Sequence, residues 1–491
     1  MKISNFFILK KNCDNILLNN INDITISNNA LNIIKGHPYH VRTYKKSFFR
    51  IFLDLITYLL KNFIYFFAAT LKSFKFNRKN KKKVKVLLIS NLVNVDHLNK
   101  KDYIFFDLES KLKKANISYH KILVNHTKHS RKKIENKLKD IKNTSVLEFN
   151  FSDFLSSIKI FNNQLKYFVL FFFYSIKEKN KEKKKLLTIL AIEFLNLSTK
   201  KNLNLFLNYK KILHEIDFNK LIIPYEGYSW ERLLIKETKN KNEKIKCLGY
   251  HFSAISKYQH SIFRKINFNY EPDIIYTAGN FAKKEFKKTT NYKVKVLGSA
   301  RFFQKKSDYK KKKNNNFYYN CLVLPEGIKS ECAKLFKFSF LAAKKLTDIK
   351  FIWRLHPSMS YEKILPDIGL SANNLPNNII LSDKSFFKDI EEANMCLYRG
   401  STSAITALQN GTIPIYLNDP KSLNIDPLFG LKKWKKSIVN LNDLEKSIYD
   451  KIKNSKKNLN DKKFAINFSL KYFEKLDNKL LISDLKNVKK Y

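Results

Sequence analysis

Between Phe351 and Leu417 the chain carries three short apolar runs, Phe351–Leu355, Ile379–Leu381 and Met395–Tyr398, each ending in polar, Gly or Pro residues. Runs of this length with helical patterns between them demand a parallel α/β sheet, whose strands are buried on both faces. In such sheets ligands sit beyond the carboxyl ends of the strands. Two of the ends carry unusual chemistry: Arg354-Leu355-His356-Pro357 after the first run and Arg399-Gly400-Ser401-Thr402-Ser403 after the third.

The same alternation recurs upstream. Val84–Val93, Ile117–Val124 and Ser145–Phe151 read as strands, and a charged helix is expected over Lys101–Lys114. Gln164–Lys185 reads as one helix, apolar first and then basic, with further helix over 186–216. Leu221–Thr238 is strand, turn and amphipathic helix; Ile245–Ser253, Pro272–Lys288 and Val294–Phe303 continue the pattern. This predicts an α/β protein of two Rossmann-like domains facing a cleft, with extra N-terminal helices and a C-terminal helical tail. The expected boundaries are an N-terminal segment 1–83, a first domain 84–304, a basic linker 305–316 (KKSDYKKKKNNN lies across it), a second domain 317–440 and a basic helical tail 441–491. At 491 residues the chain is long enough for two cores.

The formal net charge is +52. The excess is spread over the whole length together with abundant Lys, Asn, Ile and Phe, which reads as compositional bias. An anionic membrane surface is the second reading. Nucleic acid is third, because no nucleic-acid motif accompanies the charge. Residues 48–76 form the most apolar stretch, interrupted by Arg50, Asp54 and Lys61 and followed by a basic run. A span needs about 20 apolar residues with few charges, so the expectation divides between a buried helix and one lying in a membrane interface. Five cysteines without CxxC spacing suit free thiols in a reducing compartment. No secretory signal is read at the N-terminus. The expected location is cytoplasmic, with peripheral attachment to the inner face of the cytoplasmic membrane as its extension.

Three sites carry candidate chemistry. Gly400 permits a tight turn, and Ser401, Thr402 and Ser403 put hydroxyls at the start of a helix (Ala404–Gln409), where an anion is favoured; Arg399 adds charge. The same hydroxyls can equally serve as helix caps. His356 before Pro357 is held extended, projecting its imidazole toward the interdomain cleft to meet a phosphate or protonate a leaving group; Arg354 lies beside it. Glu226, before Gly227, sits at a strand end where a general base can work, or where it can cap the next helix. Glu231, five residues on, is expected on a solvated helix face. Glu326-Gly327 mirrors this arrangement in the second domain, suited to a donor's ribose or sugar. No GxGxxG, GxxxxGK[ST], HExxH or GxSxG occurs at a strand–helix junction, and no DxD pair stands between apolar strands, so a metal-independent site is expected.

These motifs resemble those of GT-B glycosyltransferases. The acidic-Gly pair Glu226-Gly227, the His-Pro pair His356-Pro357 and the run Ser401-Thr402-Ser403 look like the bacterial sialyl-, polysialyl- and capsule-type transferases and the surface carbohydrate biosynthesis proteins of O-antigen loci. The resemblance spans roughly residues 220–420. It implies an inverting, metal-independent transferase with no cofactor, its substrate a CMP- or UDP-linked sugar and its acceptor a surface glycan or lipid-linked precursor. Glu226 is then the base, and His356 and Ser401–Ser403 bind the donor phosphate. The alternatives are a polyol-phosphate transferase of the same plan and a non-catalytic basic protein that binds membrane or nucleic acid.

Overall fold

The computed structural model describes residues 3–31, 37–70, 82–95, 98, 102–127, 129–138, 141, 143–150, 153–302, 319–357, 359–453 and 459–486. The expected linker 305–316 lies outside them.

The first sheet has seven parallel strands: β1 (Val86–Leu92), β2 (Tyr119–Asn125), β3 (Thr144–Leu147), β4 (Lys220–Pro224), β5 (Lys246–His251), β6 (Ile274–Thr277) and β7 (Val294–Val296). The second has six: β8 (Tyr319–Leu324), β9 (Ile349–Trp353), β10 (Ile379–Leu381), β11 (Met395–Tyr398), β12 (Ile413–Leu417) and β13 (Lys436–Ile438). Their spatial orders are β3-β2-β1-β4-β5-β6-β7 and β10-β9-β8-β11-β12-β13. Each sheet therefore starts in its middle, winds outward, and returns to wind the other way. The reversal opens a crevice at the carboxyl edge between β1 and β4, and again between β8 and β11. Strands buried on both faces explain the unbroken apolar runs: Val86 to Ile89 and Cys321 to Val323 are all fully buried.

The helices that matter below are α1 (Ile3–Leu18), α2 (Phe48–Thr70), α3 (Phe154–Lys177), α4 (Lys181–Phe194), α5 (Leu197–Leu213), α6 (Ser229–Lys241), α7 (Lys329–Lys345), α8 (Ser403–Gln409), α9 (Leu441–Lys453), α10 (Leu459–Leu470) and α11 (Asn478–Lys486). The sequence reads 164–185 as one helix. The structure instead ends α3 at Lys177 and restarts at Lys181, because the Asn180 side chain accepts from Lys183 N and caps the new helix. Asn196 does the same between α4 and α5, accepting from Ser198 N. The helix expected over Lys101–Lys114 is confined to Leu108–Lys114 among the described residues. The helical tail expected over 441–491 is divided into α9, α10 and α11 among the described residues.

The connection between α10 and α11 ties the domains together. It leaves the second domain and runs along the carboxyl edge of the first sheet. Phe281 N donates to Lys471 O (2.8 Å), Ser299 N to Glu474 O (2.8 Å) and Glu474 N to Ala278 O (2.9 Å). Asp484 on α11 then accepts from Lys295 Nζ at 2.6 Å. The N-terminal residues span the domains too. Asp14 pairs with His260 (2.8 Å) and Arg264 (2.6 Å) of the first domain, whereas Arg42 donates to Ser330 of the second at 3.1 Å. All five cysteines are buried and free.

His120 on β2 supplies a test of this packing. Burial, helped by Lys82, holds its imidazole at about 4 against an ordinary 6.5, and its Nε2 sits 2.8 Å from Ser145 Oγ. The unfolded chain takes up this proton first as the pH falls. The stability it contributes is therefore whole above pH 6.5 and is lost as the pH falls from 6.5 to about 4, by about 3 kcal/mol. Urea titrations at stepped pH are expected to show a steeper acid loss in the wild type than in His120→Gln; superimposable profiles would contradict it.

Candidate functional site

Glu226 follows β4, at the reversal point of the first sheet. Gly227 makes the turn: its φ is +80°, and a methyl group there would lie 2.6 Å from Ile262 N, so no other residue fits without moving the 261–262 backbone. The turn is held from beneath by Glu231, whose Oε2 accepts from Glu226 N (2.7 Å) and Tyr228 N (2.9 Å). Glu231 is thus not on a solvated helix face as the sequence suggests; it is 1% exposed. Burial, and then the charge of Glu226, push its carboxyl well above the usual range. Behind it, buried Arg232 donates to Ser261 O (2.6 Å) and Arg264 O (3.0 Å), fixing the 261–264 loop.

At the reversal point of the second sheet the strand ends meet. Glu326-Gly327 follows β8, Arg354-Leu355-His356 follows β9, and Arg399 to Ser403 follows β11. The Glu326 carboxylate lies over Gly400, whose φ is +78° and whose Cβ, if present, would be 2.6 Å from Glu326 Oε2. On the other side, a methyl on Gly327 would stand 2.9 Å from His356 Cε1. Glu326-Gly327 is therefore wedged between the His-Pro loop and the hydroxyl loop, and all three share one crevice. Burial lowers the basicity of His356 and the Glu326 charge opposes this, so the ring is mainly neutral at pH 7.

Two of the expected phosphate ligands have other duties, and a third is buried. The sequence puts Arg399 among them, but its guanidinium is 1% exposed. It donates through Nε to Glu331 (2.5 Å), through Nη1 to Leu417 O (3.1 Å) and through Nη2 to Ser422 (2.8 Å). It braces the β11 loop from inside the domain. Arg354 leans toward β10, donating to Asp389 (2.8 Å) and to Lys384 O (2.7 Å), away from the β8–β11 crevice. Ser401 is buried. Thr402 and Ser403 stay partly exposed, and Thr402, at the helix cap position, makes no side-chain capping bond. Because α8 has only seven residues, its dipole is short, and the groups here suited to an anion are side chains.

Two groups were not singled out in the sequence. Arg301 follows β7 in the first domain, and its Nη2 donates 3.0 Å across the cleft to Thr402 Oγ1. Its guanidinium lies 4.3 Å from the Phe473 ring centroid, which belongs to the crossing segment. Desolvation depresses its basicity, while Tyr103, Tyr250 and Glu226 raise it; the residue is exposed. Arg301 thus reaches the hydroxyl loop from the first domain. His37 comes from the N-terminal residues, which the sequence reading left without chemistry. Its Nδ1 accepts from Tyr39 N (3.1 Å), leaving Nε2 to donate to Glu326 at 3.0 Å. A signal was present: His37-Pro38 repeats the dipeptide His356-Pro357. Among the described residues no three His, Cys, Asp or Glu side chains gather as metal ligands.

The sequence matches no family model and no curated protein. Solved structures similar to this chain include a glycotransferase of kitacinnamycin, at 9% identity over 83% of this chain and 100% of that one, with a TM-score of 0.47. UDP-GlcNAc 2-epimerase from Neisseria meningitidis bound to UDP-GlcNAc is similar at 13% identity over 82% and 100%, TM-score 0.45. MurG from Acinetobacter baumannii is similar at 9% identity over 82% and 99%, TM-score 0.45.

The Arg399–Glu331 pair tests the bracing role. Glu331→Leu leaves a buried guanidinium without its carboxylate and is expected to cost about 3–5 kcal/mol, read from the denaturant midpoint. A cost below about 1 kcal/mol, typical of exposed pairs, would contradict the assignment.

Proposed function

We propose that the chain is a glycosyltransferase that moves a sugar from a CMP- or UDP-linked donor to a hydroxyl of a surface glycan or its lipid-linked precursor. The observation that carries this reading is the meeting of Glu326-Gly327, His356 and Gly400–Thr402 at one sheet reversal, with Arg301 donating to Thr402 from the end of β7 and Glu226 at the reversal of the other sheet. A site with anion donors from both domains and a buried carboxylate at the end of β4 suits transfer away from a phosphate.

In this reading the donor phosphate lies on His356, the hydroxyls of Thr402 and Ser403, and Arg301. The donor's ribose or sugar faces Glu326-Gly327, with Glu326 held by His37. Glu226 takes the proton of the acceptor hydroxyl, whose oxygen forms the new bond to the anomeric carbon. The bond from that carbon to the phosphate oxygen breaks from the opposite side, inverting the sugar. The nucleotide leaves with the electron pair, its charge met by Arg301 and by an N–H of His356. Arg399 drops out of the ligand set, and Arg301 takes its place. The nucleotide-sugar is a substrate, and the reading needs no cofactor or metal.

Calorimetric titration with CMP and UDP tests the donor half. His356→Ala and Arg301→Ala are each expected to weaken binding about tenfold, the loss of one charge-assisted hydrogen bond. Glu226→Gln keeps nucleotide affinity but lowers transfer about 10²- to 10⁴-fold. Unchanged affinity in His356→Ala contradicts the donor site, and full transfer by Glu226→Gln removes it as base. Equal protection by heparin, abolished by salt, would instead indicate a charge-driven binder.

A further inference from the structure

Helices α2 and α3 lie against one another and turn apolar faces outward. Phe168 of α3 packs with Ile51, Leu55 and Tyr58 of α2 and with Ile189 and Ile192 of α4. Asp54, the acid that interrupts the apolar stretch in sequence, points inward and pairs with Lys46 at 2.7 Å. The opposite face of α2 leaves Phe49 72%, Phe52 56%, Leu60 58% and Phe63 63% exposed. On α3, Val169, Phe173 and Ile176 are about half exposed at spacings of four and three. These positions repeat at helical period, so they form continuous stripes, and a water-soluble surface rarely carries so large an apolar patch without an occupant.

A lysine cluster abuts the patch. Lys177, Lys179, Lys181, Lys183 and Lys184 are exposed around the α3–α4 junction, with only Glu178 and Glu182 among them; Glu178 is paired with Lys183 at 2.8 Å. Lys177 Nζ stands 4.3 Å from the Phe173 ring centroid, and Lys185 Nζ 6.0 Å from that of Phe48. The charge therefore borders the apolar stripes directly. No described helix is long and apolar enough to cross a membrane. An apolar helical face edged by lysines matches an anionic bilayer surface, where acyl chains take the rings and headgroups take the ammonium groups. A second copy of a chain with net charge +52 brings like charge to like charge.

We infer that the α2–α3 face docks on an anionic lipid bilayer, lying in its interface without crossing it. This surface is separate from the cleft and stands whether or not the transferase reading holds.

Co-sedimentation of the full chain with vesicles of phosphatidylcholine, with and without phosphatidylserine, tests it. Binding is expected to the phosphatidylserine vesicles and to fall as salt rises. The triple change Phe49→Ser, Phe52→Ser, Phe63→Ser is expected to weaken it at least about tenfold. Lys177→Glu, Lys181→Glu, Lys184→Glu keeps the rings but removes the preference for phosphatidylserine. Melting temperature and CMP or UDP affinity, followed in parallel, are expected to hold in both variants, so a failed cleft and a failed membrane face give different results. The inference is overturned if the serine variant binds vesicles like the wild type, if the wild type binds both vesicle types equally, or if sedimentation shows a dimer that the serine changes dissolve.

Discussion

A parallel sheet that begins in its middle has one place where neighbouring strand ends diverge, and this chain has two such sheets. β1 and β4 part at Glu226; β8 and β11 part at Glu326 and Gly400. The Arg301–Thr402 hydrogen bond joins the domains from the end of edge strand β7 to the loop after β11. Glu226 belongs to the first domain and the hydroxyl loop to the second, so the chemistry proposed here depends on how the domains are held.

The ends of the chain hold them. The segment after α10 hydrogen-bonds along 278–299, and Phe473 within it carries the Arg301 guanidinium. The N-terminal residues are fastened to the first domain through Asp14 and reach the second through His37 and Arg42. Charge is divided in the same spirit. Arg232 and Arg399 are fully enclosed and donate to backbone carbonyls, Glu331 and Ser422; Arg301 is exposed. A buried guanidinium tied to the carbonyls of a loop stiffens that loop, whereas an exposed one can turn to an incoming phosphate.

The strands were legible because burial on both faces leaves an unmistakable run: Ile379–Leu381 and Met395–Tyr398 appear in the structure with the bounds read from sequence. Their carboxyl ends located Glu226, Glu326, His356 and Gly400 for the same reason. Helix breaks were harder. Asn180 and Asn196 interrupt periodic sequence with a single capping side chain, and an Asn looks no different when it sits mid-helix on a solvated face. Arg399 was misjudged because proximity in sequence says nothing about whether a side chain turns in or out; its buried partner Glu331 is 68 residues away. Arg301 and His37 were missed because their partners lie about 100 and 289 residues off, a separation no local pattern encodes.

The central claim is that a nucleotide's phosphate sits in the β8–β11 crevice beneath Arg301. A crystal structure of the protein soaked with CMP or UDP measures this directly. The account predicts phosphate density within hydrogen-bonding reach of Thr402 Oγ1, His356 and the Arg301 guanidinium, with Glu226 facing it across the cleft. Nucleotide bound elsewhere with that crevice left unfilled, for instance on the lysines of α3 and α4, would contradict it.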